Sequence, residues 1–336
     1  MLGKKIGTNN GVKMNIIVTG GVGFVGTNLI KKLVKDGHKV VSLDNYSKGD
    51  AKNQIDGCQY FNVDVCSVID YSFFQEKTDV IYHMAALARI QPSLEKPHPT
   101  IVNNFLSTLN ILEYARNNKI RVVYAGSSSL HHGLYGSPYA WSKFSGEELC
   151  KLYSSCYDVE TSICRFYNVY GNHQIKEGTY ATVLGIFQNQ YENREPLTIV
   201  GNGEQRRDFT HVDDIVDGII LSSEQSYKAE TFELGRGVNF SINEIADMFG
   251  TDYPREKIEQ RPGEYDVTLA DYSHAQNVLN WTPSRNIKDY MKNYIETTVK
   301  NEWNCEYCGE DTSEVDYDYI GSNTNHLQCE LKNETN

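Results

Sequence analysis

The segment NIIVTGGVGFVG at residues 15–26 decides the fold, because it joins a β-branched run directly to a glycine-rich turn. Gly20, Gly23 and Gly26 recur at every third position, and the helical pattern FVGTNLIKKLVKDG comes next. Glycine permits a tight turn and lets backbone N–H groups approach a phosphate at the start of a helix. The segment therefore predicts a strand, a turn and a helix that together bind the pyrophosphate of a dinucleotide.

A carboxylate occurs at the position that such a site needs. Asp44 lies at the end of the second β-branched run, in HKVVSLDN, 24 residues after Gly20. There it accepts hydrogen bonds from the ribose hydroxyls of NAD and repels the 2′-phosphate of NADP. Later strand ends carry Asp64 and Val65, expected at the adenine, and MAA at 84–86, which leaves room for the cofactor. Simple packing near a strand end is the alternative for each of these later residues.

Short β-branched runs alternate with helical patterns from residue 14 to about residue 172. This alternation predicts an α/β fold with a doubly wound parallel sheet of the Rossmann type, covered by helices on both faces. Over 173–300 the alternation loosens, which predicts a smaller mixed α/β substrate-binding lobe, with some later segments returning to the first domain. Residues 301–336 form an acidic tail.

Composition narrows the class of protein. The chain has 336 residues and a formal net charge of −12, without a basic stripe for nucleic acid. No apolar run reaches the roughly 18 residues of a membrane span, and the N-terminal segment lacks the apolar region of a signal peptide. The eight cysteines are thinly scattered, which favours reduced thiols. We therefore expect a cytoplasmic protein that binds neither nucleic acid nor membrane.

The segment GSPYAWSK at 136–143 places Tyr139 and Lys143 one helical turn apart, after a Ser-Pro that can start a helix. Alone, the pair is equally an aromatic and a charge on an ordinary helix surface. Here it comes after the strand end GSSS at 126–129, where the nicotinamide is expected. A nearby ammonium favours the phenolate of a tyrosine, and a serine hydroxyl there can hydrogen-bond a substrate oxygen.

Several motifs together resemble the extended short-chain dehydrogenase/reductase family, specifically its nucleotide-sugar epimerases and dehydratases. They are TGGVGFVG, YAGSSS, SPYAWSK, RFYNVYG at 165–171, GNGEQRRDFTHVDD at 201–214 and RPGE at 261–264. The resemblance covers residues 14 to about 300. It implies that Ser128, Tyr139 and Lys143 are the catalytic triad. With the strand ends above, it gives these expected NAD contacts: Gly20, Gly23, Phe24, Val25, Gly26, Asp44, Asn45, Asp64, Val65, Met84, Ala85, Ala86, Asn104, Tyr139, Lys143 and Phe166.

The same resemblance implies the residues that bind a UDP-sugar. Asn168 and two arginines, Arg207 and Arg261, would hold the diphosphate, and an arginine fork suits that task because it bonds phosphate bidentately. A surface salt bridge is the alternative for each arginine. Glu264 would contact the nucleoside ribose. Ser128 and Tyr139 would meet the sugar, and the remaining pocket residues would be Val183, Thr198 and Val200.

The segment directly after the serines narrows the set of reactions that the family resemblance implies. Family dehydratases carry an Asp-Glu pair there and family decarboxylases a Glu, whereas this chain reads SLHHG at 129–133. What remains is epimerisation at C4 of a UDP-sugar through a 4-keto intermediate, on UDP-glucose and UDP-galactose. The small Thr268, where plain-hexose epimerases carry a Tyr, would also admit UDP-GlcNAc and UDP-GalNAc. Uronate epimerase, 4-reductase, 4,6-dehydratase and a noncatalytic NAD-binding regulator are the alternatives.

Three further expectations complete the predictions. The eleven-residue step from Ser128 to Tyr139 is about half that of most relatives, which brings His131 and His132 toward the sugar, unless they are exposed loop residues. The tail spacing of Cys305, Cys308, His326 and Cys329 matches a tetrahedral zinc site, with disorder as the alternative. Relatives pair through helices equivalent to 100–117 and 138–156, so a homodimer is expected.

Overall fold

The computed structural model describes residues 13–67, 77–260, 263 and 265–303. The strands there are β1 (Asn15–Thr19), β2 (Lys39–Asp44), β3 (Cys58–Asn62), β4 (Val80–His83), β5 (Arg121–Ser127), β6 (Thr161–Phe166), β7 (Val169–Tyr170), β8 (Leu197–Val200), β9 (Arg206–Asp208), β10 (Thr210–His211), β11 (Lys228–Leu234), β12 (Asn239–Ser241) and β13 (Arg255–Ile258). The α-helices are α1 (Phe24–Lys35), α2 (Ile90–Glu95), α3 (Pro97–Asn118), α4 (Pro138–Tyr157), α5 (Val183–Glu192), α6 (Val212–Leu221), α7 (Ile242–Asp247), α8 (Ser273–Leu279) and α9 (Ile287–Trp303). Short 3₁₀ turns span Ala51–Asn53 and Ser128–His132.

A seven-stranded sheet forms the centre of the fold, in the order β11-β6-β5-β4-β1-β2-β3. Every neighbouring pair in it is parallel. The strand order reverses at β1, which pairs with β2 on one side and β4 on the other. Ligands of such sheets bind beyond the carboxyl ends of the strands at this reversal. The predicted doubly wound α/β fold is confirmed.

Alternate residues of β1 face opposite sides of the sheet and enter different cores. Ile16 and Val18 pack in one core with apolar residues of α1 and α6, whereas Ile17 packs in a second core with residues of α3 and α4. All three side chains are fully buried. Because strand side chains alternate between faces, a continuous apolar run marks a strand that is covered by helices on both sides.

Later segments both return to the sheet and build small pairs of strands. β11 joins the sheet edge beside β6, whereas β8 pairs with β13 and β9 with β12. The helices α5 and α7 start at the serine or threonine that their sequences favour, since the side chains of Thr182 and Ser241 cap them. The predicted lobe boundary at residue 173 stays a prediction.

The described residues up to Asn286 form one compact unit, and Ile287 begins a second, of which the structure describes α9. None of the helices in the described ranges combines the length and apolarity needed to cross a membrane.

Candidate active site

The glycine-rich turn between β1 and α1 is packed too tightly for side chains. Gly20 has φ +71°, and a Cβ there would lie 2.8 Å from the backbone of Ala85. A Cβ on Gly26 would lie 2.1 Å from the carbonyl oxygen of Gly20. Gly23 is the N-cap of α1 and offers no side chain to its first N–H groups. These groups are therefore available to an anion such as a pyrophosphate.

Asp44 is held in place at the carboxyl end of β2. One carboxylate oxygen accepts the Val22 N–H at 3.1 Å, and the other accepts the Tyr46 N–H at 2.8 Å. A carboxylate has about four acceptor sites, so both oxygens retain capacity for ribose hydroxyls. The glycine-rich turn and this oriented carboxylate fit the pyrophosphate and adenosine ribose of NAD.

A cavity of about 530 Å³ extends from this turn across the carboxyl edge of the sheet. Most of the predicted NAD contacts line it: Gly20, Gly23, Phe24, Val25, Gly26, Asp44, Asn45, Asp64, Val65, Met84, Ala85, Ala86, Tyr139, Lys143 and Phe166. The predicted substrate residues Ser128, Asn168, Val183, Thr198, Val200 and Arg207 line the same cavity. The predicted cofactor residues and substrate residues therefore line one continuous space.

Asn104, predicted as a cofactor contact or structural residue, lies behind the cavity wall. It is buried, and its side-chain oxygen accepts the Leu87 N–H at 2.8 Å. Its amide group donates to the hydroxyl of Ser142 at 2.9 Å. Asn104 thus ties the segment after β4 to α4, and it positions cavity residues instead of lining the cavity itself.

The start of α4 carries the Tyr-Lys pair. Ser137 caps the helix through a bond from the Ala140 N–H at 3.1 Å, and Pro138 occupies the first helical position, as the Ser-Pro sequence predicts. The backbone N–H of Tyr139 also donates to Ser93 at 3.2 Å. The first turn is therefore fixed from two sides, and Tyr139 and Lys143 both reach the cavity from it.

The serine hydroxyl that Tyr139 contacts is one residue earlier than predicted. The Tyr139 hydroxyl donates to Ser127 Oγ at 3.3 Å, and within the described residues Ser128 makes no such bond. Ser127 is the last residue of β5, whereas Ser128 begins the 3₁₀ turn, so the two side chains leave the backbone in different directions. Both line the cavity. The geometry favours Ser127 as the partner of Tyr139, and a role for Ser128 stays a prediction.

Burial changes the proton affinity of both members of the pair. It lowers the pKa of Lys143 to about 8, against the attraction of Glu147. It raises the pKa of Tyr139, against the Ser127 hydrogen bond and the charge of Arg89. The Lys143 ammonium lies 4.2 Å from the centre of the Tyr124 ring. Tyr139 is thus a neutral phenol at pH 7, and further positive charge is needed to make it a base.

The acid behind Lys143 is itself neutralised. Glu147 is fully buried, and Arg165 pairs with it at 2.7 Å. Arg165 also pairs with Glu233 at 2.8 Å. Glu147 therefore supports the ammonium of Lys143 without adding an unpaired negative charge to the protein interior.

The predicted diphosphate residues lie at the far end of the cavity. The side-chain amide of Asn168 donates to the Thr268 hydroxyl at 3.1 Å, and Thr268 also accepts the Asp208 N–H at 2.9 Å. Arg207 donates to the Tyr265 carbonyl at 2.6 Å. Each side chain is thereby oriented by its neighbours. Arg261 and Glu264, the other two residues predicted for this end, lie outside the described residues.

The structure bears on the predicted position of His131 but does not describe the predicted zinc ligands. His131 pairs with Glu233 at 2.8 Å and does not line the cavity. Its side chain therefore contacts strand β11 at the edge of the sheet and lies away from the expected sugar position. The predicted zinc ligands Cys305, Cys308, His326 and Cys329 lie outside the described residues.

Sequence reasoning missed Arg89, which lines the cavity beside Tyr139. It also missed His83, a buried residue whose ring nitrogens contact Thr19 at 2.8 Å and Thr108 at 3.2 Å. Burial lowers the pKa of His83 to about 3, so it is a neutral part of the sheet. For Arg89 a signal was present, because a charged residue shortly after a strand of a parallel sheet lies at the ligand-binding edge.

The amino-acid sequence matches a known protein family. The model of the NAD dependent epimerase/dehydratase family matches residues 16–235. The chain belongs to this family. The expected family resemblance is therefore confirmed, and the position of Tyr139 and Lys143 in the cavity that the glycine-rich turn also lines is in keeping with it.

Relatives in the NAD dependent epimerase/dehydratase family act on more than one nucleotide sugar. A UDP-glucose 4-epimerase of Mycolicibacterium smegmatis is 31% identical over 296 residues, 80% of this chain and 94% of the relative. A UDP-N-acetyl-α-D-glucosaminuronate decarboxylase of Bacillus cytotoxicus is 31% identical over 274 residues, 75% of this chain and 85% of the relative.

A solved structure of similar fold contains the cofactor. It is UDP-glucuronic acid 4-epimerase from Bacillus cereus in complex with UDP-glucuronic acid and NAD, with a TM-score of 0.77 and 28% identity. The match covers 84% of this chain and 99% of that one. With the family's dependence on NAD and the fit of the turn and Asp44, NAD is the cofactor, as predicted.

Proposed function

We propose that the protein is an NAD-dependent 4-epimerase of UDP-sugars. The observation that carries this proposal is the Tyr139 hydroxyl, bonded to Ser127 at 3.3 Å, at an end of the cavity where none of the described residues supplies a carboxylate. Among the described residues, the only acids that line the cavity are Asp44 and Asp64, near the ends of β2 and β3. Elimination of water needs an acid and a base of its own. A proton transfer at one hydroxyl needs only Tyr139.

The chain's own residues divide the work of the reaction. Tyr139 accepts the proton of the sugar 4-hydroxyl as C4 is oxidised, and it returns this proton when the ketone is reduced on its other face. Ser127 holds the substrate oxygen, and the charge of Lys143 favours the phenolate. NAD, when bound, supplies a cationic ring and a reversible two-electron acceptor. Because the same cofactor is restored, there is no net redox change.

The diphosphate end and the sugar end of the substrate need different kinds of binding. Arg207 and Asn168 would hold the diphosphate through charge and hydrogen bonds, while the sugar must turn over between the two half-reactions. Binding energy spent on the diphosphate keeps the 4-keto sugar in place without restricting that rotation. The charged and polar side chains at the diphosphate end therefore suit a reaction in which the sugar has to turn over.

The pocket supports both plain and N-acetylated hexoses as substrates. Thr268 is small and buried, and its hydroxyl is already engaged with Asn168 and Asp208. A residue of this size leaves volume beside the sugar that a tyrosine would fill. We therefore include UDP-GlcNAc and UDP-GalNAc with UDP-glucose and UDP-galactose in the proposal.

A homodimer in the cytoplasm remains part of the proposal. The helices α3 and α4, expected to form the interface, pack against each other and leave apolar side chains exposed, among them Leu106 and Leu152. Light scattering of the purified chain gives its mass in solution directly, and a monomer would remove this part of the proposal.

The test of the function is a Tyr139→Phe variant assayed with UDP-sugars by proton NMR. We expect the parent chain to interconvert the axial and equatorial 4-hydroxyl configurations with the 6-hydroxymethyl signal retained. The variant should lose roughly 100-fold or more of this rate, since it lacks the acid and base. Tyr135→Phe is the matched control, because Tyr135 is 87% exposed in the connection before α4. Equal rates in parent and Tyr139→Phe, or loss of the 6-hydroxymethyl signal, would refute the proposal.

A further inference from the structure

Arg89 is a cavity residue that the proposed reaction does not use. It lies between β4 and α2, lines the cavity and is half-buried. Its Nε donates to the carbonyl oxygen of Tyr180 at 2.8 Å. The bond fixes one edge of the guanidinium to the segment before α5. The two terminal nitrogens keep their donors, because no hydrogen bond from them occurs within the described residues.

The charge of Arg89 has no carboxylate partner among the described residues. No carboxylate of the described residues lies within ion-pair distance of it, whereas Arg165 pairs with both Glu147 and Glu233. The two acids that line the cavity, Asp44 and Asp64, belong to its adenosine end. Burial accordingly lowers the pKa of Arg89. An unpaired charge in such a place is costly, so it is expected to serve a ligand.

The position of Arg89 identifies which part of the ligand it serves. Arg89 is the N-cap residue of α2, and Ser93 of that helix accepts the backbone N–H of Tyr139 at 3.2 Å, so Arg89 lies at the reacting end of the cavity. Arg207, in contrast, faces the end where Asn168 and Thr268 lie, which suits the diphosphate. A cation beside Tyr139 is therefore poorly placed for the diphosphate and well placed for a group on the sugar ring.

We propose that Arg89 binds a carboxylate on the sugar, so that the preferred substrates are UDP-sugars with an acidic ring substituent, the UDP-uronic acids. This inference rests on the proposed 4-epimerase function, whose site it shares. A guanidinium matches a carboxylate with two parallel hydrogen bonds, and its bond to Tyr180 orients that fork in advance. A neutral hydroxymethyl group in the same place leaves the charge of Arg89 unpaired and binds more weakly.

Binding to the NAD-loaded protein tests this inference, with calorimetry of UDP-glucuronic acid and UDP-glucose. We expect the parent chain to bind UDP-glucuronic acid more tightly. Arg89→Met should weaken that binding by roughly 10- to 100-fold, the value of a charged hydrogen-bonded pair, and change UDP-glucose binding by less than about 3-fold. Arg89→Lys should recover part of the preference. Arg116→Met is the control, since Arg116 is an exposed arginine paired with Glu113.

Two outcomes overturn the inference. One is a parent chain that binds UDP-glucose at least as tightly as UDP-glucuronic acid. The other is an Arg89→Met variant that loses affinity for both ligands equally, which indicates a role in folding or through Tyr139. The readout is independent of turnover. If the chain binds UDP-glucuronic acid selectively but does not epimerise UDP-sugars, the role of Arg89 is supported and the proposed reaction is refuted. If the chain epimerises UDP-sugars without selective binding, the proposed reaction is supported and the role of Arg89 is refuted.

Discussion

Replacing Lys143 with methionine should stabilise the chain while it removes the activity. Lys143 is 4% exposed, and burial lowers its pKa from 10.5 to about 8. At pH 7 the ammonium is still charged, so the folded chain holds it at a cost of about 3 kcal/mol relative to the unfolded chain. Met has a similar length and no charge, and Glu147 keeps its pair with Arg165. In the chain without bound NAD, this corresponds to a melting temperature roughly 4–5 °C higher, because a chain of 336 residues has a large entropy of unfolding.

The pH dependence separates this cause from better packing. Between pH 8 and 10.5 the unfolded lysine carries a proton that the folded one has lost. The stability of the parent therefore rises with pH in this window, by about 1.4 kcal/mol per pH unit from this group. Lys143→Met lacks that contribution. The difference in unfolding free energy between the variant and the parent should therefore be constant below pH 8 and vanish toward pH 10.5. Urea unfolding of both chains from pH 7 to 10 measures it.

The control is Lys151→Met on the exposed side of the same helix, where Lys151 pairs with Glu148. It should change stability by less than about 1 kcal/mol at every pH. Lys143→Met should also epimerise at least about 100-fold more slowly, because the phenolate of Tyr139 loses its neighbouring charge. A Lys143→Met chain that is less stable than the parent at pH 7, or an advantage independent of pH, would refute the reasoning.

The remaining predictions concern the turn and the serines. Gly26→Ala places a Cβ 2.1 Å from a backbone oxygen of the turn, so NAD affinity should fall more than about 10-fold by calorimetry, and unchanged affinity would contradict the tight cradle. Ser127→Ala should slow epimerisation of UDP-sugars more than Ser128→Ala, because Ser127 accepts the Tyr139 hydroxyl at 3.3 Å. The opposite order in the NMR assay would return the catalytic role to Ser128.

Residues whose geometry is local could be predicted from the sequence. The spacing of Gly20 and Gly26 encodes a turn in which the two glycines contact each other, and Asp44 ends the next apolar run. Tyr139 and Lys143 are one turn apart in a helix whose start is marked by Ser-Pro. Each feature depends on a few neighbouring residues, so strand and helix periodicity suffices to place them at one edge of the sheet.

Residues whose roles depend on distant partners could not be predicted in this way. Ser127 and Ser128 have the same side chain, and only the end of β5 decides which of them meets Tyr139. Arg89 differs from Arg165 because no carboxylate of the described residues pairs with it, and that depends on residues far away in the sequence. A single short motif carries no information about such long-range pairing.

The short connection between Ser128 and Tyr139 predicts that histidines lie beside the sugar, but the cavity wall beside Tyr139 is formed by other residues. His131 is drawn to Glu233 at 2.8 Å, so this residue of the short connection is tied away from the sugar. The segment at 179–182 and Arg89 line the cavity instead, joined by the bond from Arg89 to the Tyr180 carbonyl. Lys48 lies 4.6 Å from the centre of the Tyr180 ring. Since the cations Arg89 and Lys48 border this wall and His131 is tied away from it, the charge of the wall, more than the length of the connection, should decide which sugar is accepted.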